Sequence, residues 1–261
     1  MSSPPVSPAK GGIPSRVIIL AAGKGTRMNS ELPKVLCRVV DRPMIHFVID
    51  AAVKAGIDDK IVVVGYEADQ VRQELGSRND RHIQFAEQTQ QLGTGHAVQM
   101  CLPLLEGQTG VTLVIAGDSP LIQAESLQQL LQHFESKRPA LLLGTLKKDD
   151  PKGLGRIVRD ADGNFTGIVE HKDATEAQRQ ITEVNMSTYL FETEALLWAL
   201  ARLDNDNAQG EYYLTDCARL LSEAGRLVEA MPVLKPCESL SINNPDELQL
   251  VDQTMRKMGY A

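Results

Sequence analysis

The chain is poor in aromatic residues, which fill 4% of its 261 positions and include one tryptophan. Its four cysteines, Cys37, Cys101, Cys217 and Cys237, are scattered with no C-x-x-C pair. Metal and disulfide spacings are therefore absent, and buried thiols are expected. There is no basic excess: 27 Lys and Arg face 34 Asp and Glu, a net charge of −7. That argues against a nucleic-acid partner but leaves room for a local basic pocket. No apolar run approaches the roughly 20 residues that cross a bilayer, so no membrane partner is expected. The N-terminal MSSPPVSPAKGGIPS lacks the apolar centre of a signal peptide. Its Pro, Ser and Gly content predicts a disordered tail over residues 1–15 and, by default, a cytoplasmic location. Two common phosphate loops are also missing. No G-x-x-x-x-G-K-[ST] run occurs, and G-x-G-x-x-G fails because Met28 stands in its third place.

What is present is LAAGKGTRM, residues 20–28, followed by Leu32-Pro33-Lys34. An apolar run, Val17–Leu20, ends in a Gly-rich turn that carries Lys24 and Arg27, with Lys34 just beyond. Glycines let backbone N–H groups approach an anion, and the cations neutralise it. Three cations around one loop suggest a triphosphate rather than a dinucleotide.

Apolar periodicity alternates between strand and helix through the first half. Strands are expected at Val17–Leu20, Ile61–Val64, Ile83–Phe85, Thr112–Ala116 and Leu141–Leu146. Helices are expected over Pro43–Lys54, Ala68–Leu75, Gly95–Leu105 and Ala124–Ser136. This order predicts a mostly parallel sheet with helices on both faces and ligands at the strands' carboxyl ends. After residue 150, Gly155–Arg159 and Phe165–Val169 flank Asp162-Gly163, a hairpin signal. A strand over Val184–Phe191 and helices over Glu192–Leu203, Glu211–Glu223 and Pro245–Met258 follow. One domain over 16–261 is expected, with a nucleotide-binding half (16–150) and a second half (151–261) that builds a lid or a sugar-side wall.

Asp118 directly follows a buried strand, where a carboxylate is placed to hold Mg2+ or to make a turn. Gln88 and the run Gln91-Leu92-Gly93-Thr94-Gly95-His96 offer amide and backbone groups to a pyrimidine edge, or a polar loop with Thr94 as helix cap. His96 reads as structural more readily than catalytic. Transfer onto a phosphate needs no general base, because the attacking oxygen is already ionised.

The ordered set LAAGKGTRM, LPKVL, QQLGTGHAV, GDSPL, GLGRI, VEHKDAT, EVN and NAQGEYYLTD resembles the uridyltransferase half of the bacterial bifunctional N-acetylglucosamine-1-phosphate uridyltransferases. The resemblance runs from about Val17 to at least Asp216. It implies a Rossmann-like, GT-A-like nucleotidyltransferase fold with a mixed, mostly parallel sheet. It also implies UTP and a sugar 1-phosphate as substrates, Mg2+ as cofactor, and supply of cell-wall or surface-glycan precursors. Carried over by motif, Arg27 and Lys34 would be catalytic phosphate ligands. Leu20, Ala21, Ala22 and Gly23 would surround the nucleotide, which Thr94 would support, and Gln88 and Gly93 would read uracil. Asp118 and Asn243 would hold the metal. Gly155, Glu170, Asn185, Tyr213 and Thr215 would line the sugar pocket.

Four departures stand out. Ala116 replaces a usual Tyr, Ser187 a usual Gly and Cys37 a usual His, and Ser241–Asp246 differs from the usual Gly-Val-Asn. The first two lie toward the sugar and open its identity. The bifunctional proteins continue into a β-helix acetyltransferase, whose hexapeptide repeat this sequence lacks, so acetyl transfer is not expected and the oligomeric state, monomer included, stays open. The alternatives are another sugar, dTTP or CTP as donor, and a non-catalytic nucleotide-sugar binder.

Overall fold

The computed structural model describes residues 13, 15–28, 32–78, 82–207 and 209–260. The expected tail, apart from Ile13 and Ser15, lies outside the described residues. β1 (Ser15–Leu20) leads through two 3-10 turns, Thr26–Met28 and Lys34–Leu36, into a small ribbon of β2 (Arg38–Val39) and β3 (Arg42–Pro43). The alternation then runs α1 (Met44–Lys54), β4 (Asp59–Val64), α2 (Ala68–Gly76), β5 (Ile83–Glu87), α3 (Thr94–Gln99), α4 (Leu102–Leu105), β6 (Val111–Ala116), α5 (Ala124–Lys137) and β7 (Leu141–Lys147). A hairpin of β8 (Arg156–Arg159) and β9 (Phe165–Val169) precedes α6 (Glu176–Arg179), β10 (Glu183–Glu192), α7 (Thr193–Leu200), α8 (Asp216–Glu223), β11 (Val228–Met231) and α9 (Pro245–Lys257).

The main sheet has the order β11-β7-β10-β6-β1-β4-β5, with β8 and β9 attached beside β10. β6, β1, β4 and β5 are mutually parallel, as are β11 and β7, whereas β10 runs antiparallel between β6 and β7. This is the expected mixed, mostly parallel Rossmann-like sheet. Alternation along each strand divides the core into two layers. Val17 and Ile19 join α1, α2 and α5 on one face, while Ile18 joins α3, α7 and α8 on the other. A third cluster packs Val251 and Met255 of α9 on Met28, Met44, Phe47 and Ile242. It brings the chain's end beside the Gly-rich loop.

Three expectations need correction. The helix over Gly95–Leu105 is two short ones, interrupted at Met100-Cys101 ahead of Pro103, whose missing N–H is tolerated only in a first turn. The helix over Glu211–Glu223 starts at Asp216, because the Tyr212 backbone is tied elsewhere: its N–H donates to Leu92 O at 2.8 Å and its carbonyl accepts from Gly95 N at 2.8 Å. Thr94 is the first residue of α3 and Gly93 its cap. The cysteine reading holds for Cys37, Cys101 and Cys217, which are buried, while Cys237 is only partly so. Burial, joined at Cys217 by the Asp216 charge, pushes the Cys101 and Cys217 thiols up to about 12, so neither is a thiolate at neutral pH.

β10 is anchored at its start by Glu183, which accepts two 2.7 Å bonds from Arg159 and one of 2.6 Å from Thr145. Burial alone would raise the Glu183 carboxyl, but these bonds and the Arg159 and Lys147 charges outweigh it and hold it below the usual range. A lowered folded pKa gives stability that is complete above the unfolded value of about 4.3 and lost as pH falls through the folded one. Arg159→Leu is therefore expected to lower Tm by several degrees at pH 7 and by much less near pH 3. Equal losses at both pH values in thermal melts would contradict this.

Candidate functional site

The register sets Leu20 level with Val63 and Ala116, and Val64 level with Glu87, so β1, β4, β5 and β6 end on one rim. Above that rim lies a cleft of about 440 Å3, lined among others by Leu20, Ala21, Ala22, Gly23, Arg27 and Lys34. Gln88, Gly93, Thr94, Asp118 and Asn243 complete its expected lining. Every residue that the motif resemblance assigns to phosphate, base or metal thus borders one cavity. From β5 to β10 is four strand spacings, about 19 Å, room for a base at one end and a sugar at the other.

The centre is a three-residue contact. Lys34 Nζ lies 2.5 Å from Asp118 Oδ2 and donates to Asn243 Oδ1 at 2.8 Å. The Lys34 and Asp118 side chains are 13% and 25% exposed, so the pair is screened but still reachable from the cleft. Each partner has a local cause. Gly25, at φ +62°, leaves only 2.7 Å between the place a Cβ would occupy and Lys34 Cβ; a side chain there would push the lysine away. Asp118 follows β6. Asn243 precedes the cap of α9, where Asn244 accepts from Glu247 N and Glu247 Oε2 accepts from Asn243 N at 2.7 Å. Arg27 is exposed on the first 3-10 turn. Lys24 does not line the cleft; it lies over the Tyr66 ring, 5.2 Å from the centroid.

At the β5 end, Gln88 is 4% exposed, and its Nε2 donates to Gly93 O at 3.0 Å and to His96 Nδ1 at 3.1 Å. The Thr94 hydroxyl accepts from Leu214 N at 3.2 Å, and with the Tyr212 bonds this joins the loop to the segment before α8.

The residues expected on the sugar side do not line the cleft, although Asn185 lies two positions from Ser187, which does. Asn185 N donates to Gly155 O at 2.9 Å, and Asn185 Nδ2 donates to the Tyr189 hydroxyl at 2.7 Å. A Cβ on Gly155 would lie 3.5 Å from both Glu170 carboxylate oxygens. Glu170 as a residue is exposed, yet its carboxylate is raised by lost solvation over that backbone and by the charges of Asp173 and Asp216. Burial likewise raises Asp216, with a smaller contribution from Asp204 against the opposing pull of Arg219. Desolvation and the surrounding acids, Glu211 and Glu170 first, raise the Tyr213 phenol. Thr215 precedes α8 as its N-terminal flank. The Asn185 Oδ1 also accepts from Ser187 N at 3.3 Å.

Sequence reasoning missed Val35, Ala97 and Glu211 as cleft residues. Glu211 had a signal, its place in the NAQGEYYLTD motif. Ser187 and Ala116, noted as departures, both line the cleft. Ser187 sits at the irregularity between Asn185 and Thr188 with φ +53°, a left-handed conformation that favours glycine. Ser187→Gly is expected to raise Tm by about 2–4 °C through relief of that strain. An unchanged or lower melting temperature would show that the serine makes up for its backbone.

Residues 16–235 match the family model of the nucleotidyl transferases. The chain belongs to that family. It is 46% identical over 240 residues to the bifunctional protein GlmU of Exiguobacterium sp. strain AT1b, a match covering 92% of this chain and 52% of that one. To the bifunctional protein GlmU of Bacillus subtilis strain 168 it is 41% identical, with the same shares covered. The chain spans about half the length of these curated relatives. A solved UDP-glucose pyrophosphorylase complexed with UDP-glucose superposes with a TM-score of 0.75 over 94% of this chain and 99% of the other, at 18% identity. That likeness shows the nucleotidyl transferase fold alone.

Proposed function

We propose that the chain transfers uridylyl from UTP to a sugar 1-phosphate, N-acetylglucosamine 1-phosphate before others, and releases pyrophosphate. The carrying observation is that Lys34, Asp118 and Asn243 converge in a cleft whose far end presents Gln88 and Gly93. In this reading the base meets Gln88 and Gly93, the Leu20–Gly23 backbone surrounds the nucleotide, and Arg27 with the Gly-rich loop takes the pyrophosphate. Gly155, Glu170, Asn185, Tyr213 and Thr215 support the sugar. The chain acts as one unit over 16–261, with base and sugar halves meeting at residue 150.

Two hard oxygen donors, Asp118 Oδ2 and Asn243 Oδ1, already meet on one cation, the Lys34 ammonium. Among the described residues no three His, Cys, Asp or Glu side chains gather as a metal site, so phosphate oxygens and water would complete a shell here. The donor set fits Mg2+, which Asp118 and Asn243 would hold. Bound Mg2+ would supply charge neutralisation on the phosphates. The sugar phosphate oxygen attacks the α-phosphorus in line, while Lys34 donates to the phosphate oxygens on which charge grows. Alignment and neutralisation suffice, and no side chain removes a proton. No helix among the described residues is long and apolar enough to cross a membrane; a cytoplasmic place fits an enzyme drawing on UTP.

A second reading, another sugar 1-phosphate, is favoured by Ala116 and Ser187 on the cleft wall, where a small side chain and an added hydroxyl change the space near the acceptor. One assay decides both: pyrophosphate release with Mg2+, UTP and the N-acetylglucosamine, glucosamine, glucose and galactose 1-phosphates. Highest kcat/KM with the N-acetylated sugar is expected. Highest kcat/KM with another sugar selects the second reading, and no release with any of them overturns the function.

A further inference from the structure

Both amide hydrogens of Gln88 have protein acceptors. One goes to Gly93 O at 3.0 Å and the other to His96 Nδ1 at 3.1 Å. The Gly93 carbonyl also accepts from Ala97 N at 3.1 Å as α3 begins. A carbonyl can only accept, so the NH2 side of Gln88 must face it, and turning the amide over would set two oxygens against each other. His96 accepts on Nδ1 only as the neutral ring with its proton on Nε2. Its ring is tilted against Tyr212, 6.3 Å between centroids, and the Tyr212 backbone is itself bonded to Leu92 and Gly95. The acceptor is thus held on both sides of the loop.

With both hydrogens engaged, the group Gln88 has left for a ligand is its carbonyl, an acceptor. A pyrimidine carrying N3–H, such as uracil or thymine, donates to it. Cytosine brings a bare N3, and two lone pairs would then face each other. We infer that His96 is a positioning residue, one that locks Gln88 with its carbonyl toward the base and so makes the cleft select N3–H pyrimidines over cytosine. This rests on the reading of the Gln88 end as the base site. Gln88 is buried, which sharpens the selection, because an unmatched polar group there has little water to fall back on.

The test is calorimetric binding of UTP and CTP to the full chain and to His96→Lys, His96→Ala and His96→Gln, with melting temperatures alongside. The unmodified chain is expected to prefer UTP by 10-fold or more, roughly what one mismatched hydrogen bond in a dry site gives. His96→Lys sets a donor against the Gln88 NH2 and is expected to cut that preference at least ~5-fold. His96→Ala, which only removes the acceptor and is the variant to read if the lysine does not fold, should cut it ~3-fold. His96→Gln, whose side-chain carbonyl accepts, should bring most of it back. In turnover the lysine and alanine variants should raise KM for UTP and leave kcat within ~2-fold. Equal affinity of the unmodified chain for UTP and CTP, or a ratio untouched in folded His96→Lys or His96→Ala, overturns the inference. A chain that prefers UTP through His96 yet turns over no sugar 1-phosphate would keep this inference and sink the uridylyl-transfer reading.

Discussion

Lys34→Ala is expected to lower kcat about 10^3-fold while Tm moves by no more than a few degrees. The ammonium lies 2.5 Å from Asp118 and 2.8 Å from Asn243, at the centre of the cleft and under the Gly-rich loop. Removing a preorganised donor from developing phosphate charge costs about 10^2–10^3 in rate, and here the donor also carries a full charge. The stability effect is small for a different reason. Asp118 is a quarter exposed, and a partly exposed ion pair contributes roughly 1 kcal/mol or less. Lys34→Met keeps the stem beside Gly25 and removes only the charge, so it should lose as much turnover as the alanine. Pyrophosphate release under saturating substrates, read beside differential scanning fluorimetry, checks both. Turnover within tenfold of normal in a folded Lys34→Met protein would take the lysine out of the chemistry.

Gly93→Ala should do the converse, with damage first to the fold and to nucleotide binding. The added methyl would sit 2.5 Å from Tyr212 O and 3.0 Å from Tyr212 N, at a residue whose φ is +104°. Both contacts are backbone, so no flexible side chain can give way. The Gly93 carbonyl also orients Gln88, and the strand of bonds from Leu92, Thr94 and Gly95 to residues 212–214 must open for the methyl to fit. A forced left-handed or steric conflict of this kind costs roughly 2–4 kcal/mol. For a chain of this size that is a fall in Tm of about 5–12 °C. KM for UTP should rise at least tenfold, with a smaller change in KM for the sugar 1-phosphate. A variant with a normal melting temperature and normal UTP affinity would mean that the loop moves freely away from the Tyr212 segment.

The rim of the site was legible because strands that are buried on both faces announce themselves. Ile61–Val64 and Leu113–Ala116 are continuous apolar runs, and the loops after them must share an edge once the sheet is parallel. β11 was missed because Val-Glu-Ala-Met has only a weak apolar pattern, and it finds its place by pairing with β7. Residues 211–215 carry helical spacing but stay irregular, because their backbone groups serve Leu92 and Gly95. The contact of Asn243 with Lys34 spans 209 positions; no local spacing encodes it. It depends on α9 docking its Val251 and Met255 on the cluster that holds Met28 and Ile242. Motif resemblance named the asparagine, and packing supplies the reason for it.

The antiparallel β10 also bears on how the chain comes to be folded at all. It occupies the lane between β6 and β7, and β7's other strand partner among the described residues is β11. A chain emerging from the ribosome through residue 150 would hold β1, β4, β5 and β6 in register, with one flank of β6 bare and β7 lacking any strand to lie against. Both would be open edges of the kind that recruit other chains. Such nascent chains, and fragments cut between the halves, would be prone to cluster until residue 192 has been made and the lane is filled. Grafting a foreign acceptor side onto this scaffold would accordingly succeed by exchanging the loops above the rim, and fail by joining halves at residue 150.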